Sequence, residues 1–296
     1  MVRSDGLFLA QTHVGLLAGW QNAYMNDGQS WLIELGPELA IQARLANVLL
    51  AAVEVDARWE WLELGCSVAE GRGDSLSDLD LGLGYAGDRP PPVEDVSDML
   101  RGLGNVVDLA VGLWDGVPRW WVQYQDGGQI DLVALPATSR AGRAPGSVAL
   151  LDRQGRLSRV FTPDTLSASA EDCRSWLLDG WEALINVAKY LHRGTVLEAI
   201  EQIHRARTDV FRLWAVGEGV DYPVFGLTSL LDAARPSVPK GIELTYPTTD
   251  DPGALAAASV TARLLAVAGR HADPHLHSPM EEFVGRRLDE LGGDTA

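Results

Sequence analysis

The hydrophobic pattern of this chain has a period near two over much of its first half and near 3.6 over most of its second. Trp59 to Leu64, Leu79 to Tyr85, Val106 to Trp114, Arg119 to Gln125 and Gln129 to Leu135 read as strands. The turn-forming Asp-Gly-Val-Pro and Asp-Gly-Gly lie between the last three, as in antiparallel hairpins. Two helices interrupt the strands: Glu38 to Val55, rich in Ala and Leu, and Val93 to Leu103, entered after a proline turn. Residues 8 to 55 otherwise mix helix formers with breaks at Gly28 and Gly36-Pro37. From Ser139 to Ser169 the periodicity fades into Ser, Arg, Gly and Pro, which predicts a linker. Beyond it, residues 170 to 193, 195 to 217, 254 to 271 and 279 to 291 carry amphipathic helical spacing.

This order predicts an α+β fold: a mixed-sheet domain over residues 1–145, followed by a helical bundle over residues 146–296. A chain of 296 residues suffices for two modest cores. Composition changes this picture little, since 46% apolar and 22% charged residues are ordinary for a folded protein. Charge changes it more. With 41 acidic against 24 basic side chains, the formal net charge of -17 opposes nucleic-acid binding and favours cationic ligands. The two cysteines, Cys66 and Cys173, lack the spacing of a disulfide framework or a zinc knuckle, which suits a reducing cytoplasm. The first ten residues hold only a brief apolar run, so neither a secretory signal nor a membrane span is expected at the start.

Candidate chemistry concentrates between Cys66 and Leu81, where a small-residue turn runs into Ser77-Asp78-Leu79-Asp80. On a strand, alternate side chains share a face, so Asp78 and Asp80 point one way while Leu79 and Leu81 enter the core. Two like-facing carboxylates suit a hard divalent cation, and glycines let a turn backbone approach phosphate.

Ser67-Val-Ala-Glu-Gly71, followed by Ser77-Asp78-Leu79-Asp80, resembles the nucleotidyltransferase signature of the polymerase-beta superfamily, most nearly its small antibiotic-modifying members. That resemblance implies Mg2+ on Asp78 and Asp80, with Asp131 as a third ligand, a base, or both. It implies ATP or another nucleoside triphosphate held by Ser67, Gly71 and Ser77. Lys189, in a helical run resembling the equivalent segment of aminoglycoside-type transferases, is implied as a counter-charge for the phosphates. The chain departs from the pattern at Cys66, where relatives usually carry Gly.

The implied reaction moves AMP from ATP to a hydroxyl of a small molecule such as an aminoglycoside-like antibiotic. The alternatives are nucleotidylation of a protein partner, as in antitoxin-type members, and a non-catalytic nucleotide-binding scaffold. Glu182 reads as a surface carboxylate, and His271, His275 and His277 belong to a polar, proline-interrupted segment rather than a metal site.

Overall fold

The computed structural model describes residues 27–114 and 116–293. The expectation for the first ten residues, and the reading of residues 8 to 26, lie outside them. The chain separates into two compact units, Met1–Thr162 and Pro163–Ala296.

In the first unit, helix α1 (Asp27–Ile33) and helix α2 (Ala40–Val55) precede strand β1 (Trp59–Leu64). A single-turn helix, α3 (Cys66–Ala69), leads toward β2 (Leu79–Tyr85). Helix α4 (Val93–Arg101) follows, then β3 (Val106–Trp114), β4 (Val117–Tyr124), β5 (Gln129–Pro136) and β6 (Val148–Asp152). The strands form one sheet in the order β3-β4-β5-β2-β1-β6. All neighbours are antiparallel except β2 and β5, which pair in parallel from Leu79 opposite Ile130 to Tyr85 opposite Pro136.

Strand alternation divides the sheet into an apolar and a polar face. Leu62, Leu64, Leu79, Leu81, Leu83, Trp120, Val122, Ile130 and Leu132 are buried in one core with Leu45, Leu49, Leu50 and Val53 of α2. Each such leucine contributes about 1.5–3 kcal/mol on leaving water. Helix α4 is fastened to the same face, because Trp120 Nε1 donates to Ser97 Oγ at 3.1 Å and the Tyr124 hydroxyl to the Leu100 carbonyl at 2.8 Å. The opposite face carries Asp80, Asp131 and Arg119.

The segment expected to be a linker contains β6, which pairs with β1 at the sheet edge. Only five residues long, β6 is too short to stand out in a Ser/Gly/Pro-rich stretch. Arg153 anchors it by donating to the Trp59 carbonyl at 2.9 Å and the Glu54 carbonyl at 2.6 Å.

The second unit is helical. It comprises α5 (Ala170–His192), α6 (Val196–Glu218), the short α7 (Leu227–Asp232), α8 (Asp251–Ala272) and α9 (Met280–Gly293). The start of α5 is set by a capping box, in which Ser169 and Asp172 satisfy each other's backbone N–H groups. Left-handed Gly219 ends α6. Helices α5, α6 and α8 pack together around Leu177, Trp181, Leu184, Ile203, Val210 and Leu265, with α9 against α5 and α8. Close approach rests on small residues: a Cβ on Gly180 would lie 2.8 Å from a Leu265 methyl. Helix α8 is long and apolar enough to cross a membrane by length and composition, and its buried alanines and Leu265 form part of this core. The α+β class with a helical C-terminal half agrees with the sequence expectation.

Candidate active site

The chain leaves β1 through Gly65, whose N–H donates to the Asp80 carbonyl at 2.9 Å. Cys66 then adopts φ +55°, a left-handed conformation uncommon outside glycine, and this reversal starts α3. The turn closes through Glu70 N–H to the Cys66 carbonyl at 3.0 Å and Arg72 N–H to the Ser67 carbonyl at 2.8 Å, with Gly71 at φ +71° between them. Ser67 is half-buried in α3, and Gly71 is exposed, with nothing near the position its Cβ would take.

The second half of the loop is held by its own polar groups. Ser77 Oγ accepts the Asp74 N–H at 2.9 Å, and Asp74 Oδ1 accepts the Leu76 N–H at 2.8 Å. Gln42, buried on α2, donates to the Ser77 carbonyl at 2.8 Å. Ser77, expected to meet phosphate, thus has its hydroxyl engaged in shaping the turn that delivers Asp78 to the mouth of β2. Asp78 accepts a 3.4 Å hydrogen bond from Gln129 at the start of β5.

The parallel pairing of β2 with β5 sets Asp80 opposite Asp131. Across the next pair, Trp121 of β4 is opposite Asp131 and Arg119 opposite Val133. Arg119 grips Asp131 with two donors: Nε lies 2.7 Å from Oδ1, and Nη2 bonds Oδ2. The Asp131 side chain is 18% exposed and that of Arg119 42%.

Charge crowding shows in the ionisation of these groups. Burial first, and then the Asp78 charge, raise the Asp80 carboxyl from 3.8 to about 6, against a thiol hydrogen bond from Cys66 that lowers it. Cys66 is exposed as a residue, yet its thiol faces Asp80, and burial of the sulfur together with that carboxylate pushes it up to about 12. The thiol stays protonated and acts as a donor rather than a nucleophile. Asp131 chiefly, then Asp80 and Asp78, raise the Arg119 guanidinium above its ordinary value.

Ser67, Gly71, Ser77, Asp78, Asp80 and Asp131 therefore belong to one loop and two adjacent strands of the first unit. Lys189 lies in the last turns of α5 in the second unit, exposed, donating to Asn186 Oδ1 at 2.6 Å with its ammonium 4.6 Å from the Tyr190 ring centre. Glu182 is exposed. His271 pairs with Glu218 at 2.9 Å, while His275 and His277 lie in the loop before α9.

Among the described residues, no group of three or more His, Cys, Asp or Glu side chains is already gathered as a metal cage. The donor set nevertheless fits a hard divalent cation. All three candidate ligands offer carboxylate oxygen, and a cation would offset both the burial and the neighbouring Asp78 charge that raise the Asp80 carboxyl.

Sequence reading missed Arg119, Gln42 and Glu63. Arg119 carried no signal, because its partner is fixed by strand register. A lone Gln in the helical run of α2 was the available hint for Gln42. Glu63 is a charge in the apolar run of β1, 3% exposed and bonded to Arg140 at 2.7 Å, the Ala144 N–H at 2.7 Å and the Ser147 hydroxyl at 2.5 Å. It pins residues 140–147 to the polar face of the sheet.

No protein-family model matches the chain, and no curated protein does. Among solved structures it is similar to an aminoglycoside 6-adenyltransferase from Bacillus subtilis, at 14% identity over 87% of this chain and 99% of that one, with a TM-score of 0.40. It is also similar to the poly(A) polymerase GLD-2 in complex with GLD-3, at 14% identity over 92% and 95% of the two chains and a TM-score of 0.29. A GLD-2/RNP-8 complex follows at 12% identity, 90% and 68% coverage and a TM-score of 0.24. At such identities and superpositions, the reading of this chain rests on its own residues.

Proposed function

We propose that this chain is a nucleotidyltransferase that moves AMP from ATP to a hydroxyl of a small, cationic acceptor of the aminoglycoside kind. The observation that carries the reading is the parallel β2–β5 pair, which sets Asp80 beside Asp131 at the outlet of a glycine-bearing loop, with Asp78 one step before the strand. The net charge of -17 supports a cationic acceptor over a polynucleotide.

In this reaction an acceptor oxygen attacks the α-phosphorus of ATP, the bond to the β-phosphate oxygen breaks, and pyrophosphate departs with that electron pair. The acceptor proton passes to a carboxylate, for which Asp131 is the candidate. Asp78, Asp80 and Asp131 would hold Mg2+, which when bound neutralises charge on the attacking and leaving oxygens. The Cys66–Gly71 turn would present its backbone to the phosphates, and the Cys66 thiol would face Asp80.

Calorimetric titration of ATP with and without Mg2+, on wild type and Asp80→Asn, tests the site. Binding that requires both Mg2+ and Asp80 is expected, followed by pyrophosphate release when an aminoglycoside acceptor is added. Failure of wild type to bind millimolar ATP would refute the reading. The engagement of Asp131 by Arg119 favours one second reading, a nucleotide-binding scaffold. Mg2+-dependent ATP binding without pyrophosphate release under any acceptor would support it.

A further inference from the structure

The strongest charge contact at this site is one that the proposed chemistry leaves no room for. Both Asp131 oxygens are taken by the Arg119 fork, the geometry in which a guanidinium binds a carboxylate most firmly. A carboxylate held this way keeps one lone pair on each oxygen, but half of its acceptor capacity is taken and its charge is offset by the guanidinium, so it is a weaker ligand for a metal ion. Arg119 itself is not locked in place. Its side chain is 42% exposed, and Asp131 accepts both hydrogen bonds that the fork makes.

We infer that Arg119 is a positioning residue that holds Asp131 away from metal in the empty protein and transfers its fork to a phosphate group when the nucleotide arrives. This rests on the nucleotidyltransferase reading and adds an order of events to it. The chemistry of the exchange is balanced, because a guanidinium leaving one oxyanion for another breaks and forms only hydrogen bonds and moves no proton. Arginine suits both partners, since carboxylate and phosphate present the same spacing of paired oxygens. Arg119 interacts with all three carboxylates, so its position changes how much negative charge a metal meets. With the fork on Asp131, the site offers a free metal ion two carboxylates clear of the arginine, a third already engaged, and a nearby positive charge. With the fork on phosphate, it offers three carboxylates, and the arginine adds to nucleotide binding. Metal and nucleotide thereby become mutually dependent.

The test uses Mn2+ as the probe, followed by electron paramagnetic resonance on the full chain, with and without a non-hydrolysable ATP analogue. Wild type, Arg119→Ala, Arg119→Lys and Asp80→Asn are compared. Without nucleotide, Arg119→Ala is expected to bind Mn2+ on the order of tenfold more tightly than wild type, because a nearby positive charge is removed and Asp131 is released. With the analogue, that advantage is expected to vanish or reverse. Arg119→Lys keeps the charge without the fork and is expected to fall between the two.

Unchanged Mn2+ affinity in Arg119→Ala, in a protein whose binding still depends on Asp80, would overturn the exchange and leave the nucleotidyltransferase reading standing. Arg119→Lys matching wild type in both conditions would also overturn it, by showing that charge alone suffices. Absence of Mn2+ binding in every variant, with and without nucleotide, would overturn both the exchange and the reading it rests on.

Discussion

Replacing Asp80 by Asn should make the metal-free protein more stable, although it removes a residue proposed to be essential. Burial and the neighbouring Asp78 lift the Asp80 carboxyl from 3.8 to about 6, a shift of roughly two units. At about 1.4 kcal/mol per unit, ionised Asp80 costs the fold at most about 3 kcal/mol, and partial solvation brings the expected value to about 1–2 kcal/mol. The sign follows from proton binding. Between pH 4 and pH 6 the native state retains a proton that the unfolded chain has lost, so wild-type stability falls as pH rises through that window and stays reduced above it. Asparagine is nearly isosteric, its carbonyl oxygen can still accept from the Cys66 thiol, and it has no charge to lose. The variant should therefore match wild type below pH 4 and exceed it at pH 8. Urea unfolding followed by tryptophan fluorescence, in chelator at pH 3.8 and pH 8, reads the gap directly. Saturating Mg2+ at pH 8 should close the gap by stabilising wild type alone. A variant less stable than wild type at pH 8, or a gap of equal size at both pH values, would refute this account of the site's electrostatics.

Substitutions at three further positions probe the scaffold. Cys66 occupies a left-handed conformation, so Cys66→Gly should leave the melting temperature nearly unchanged, while β-branched Cys66→Val should cost about 2 kcal/mol in thermal unfolding. A Cβ on Gly84 would lie 2.1 Å from the Trp61 indole, so Gly84→Ala should destabilise by about 1–3 kcal/mol and alter the tryptophan emission of the folded state. Glu63→Gln leaves Arg140 without its carboxylate in a largely buried setting and should cost about 3 kcal/mol in urea titration, with faster proteolysis at residues 140–147.

Much of the first unit was legible because its strands have strong local signatures. Leu79–Tyr85 and Val106–Trp114 have the bounds that alternation and turn residues predict. Strand β6 was not legible, because its membership in the sheet depends on β1 and on Arg153 reaching α2. For the candidate site, the loop with Asp78 and Asp80 could be marked from spacing, and Asp131 from the family resemblance. Their environment could not. That Asp131 is paired with Arg119 follows from the antiparallel register of β4 and β5, a relation between segments that no local pattern encodes. The departure at Cys66 was visible as a residue type, and the structure supplies its physical meaning: a left-handed residue that starts the turn, with its thiol facing Asp80. The place of Gln42 in the loop likewise required α2 to be packed on the sheet.

The parallel junction of β2 and β5 also has a consequence for how the molecule is made. Asp80 and Asp131 become neighbours only after α4 and the β3–β4 hairpin have been laid down between them, so this contact is among the slower ones to close. A chain still emerging or partly folded carries its acidic residues dispersed in water, where each is harmless. The concentrated negative field arises in the same step that buries Leu79, Leu81, Ile130 and Leu132 behind it. Tight, Asp80-dependent capture of a divalent ion during refolding would therefore mark the arrival of the finished sheet, and its lag behind helix formation would time the joining of β5 to β2.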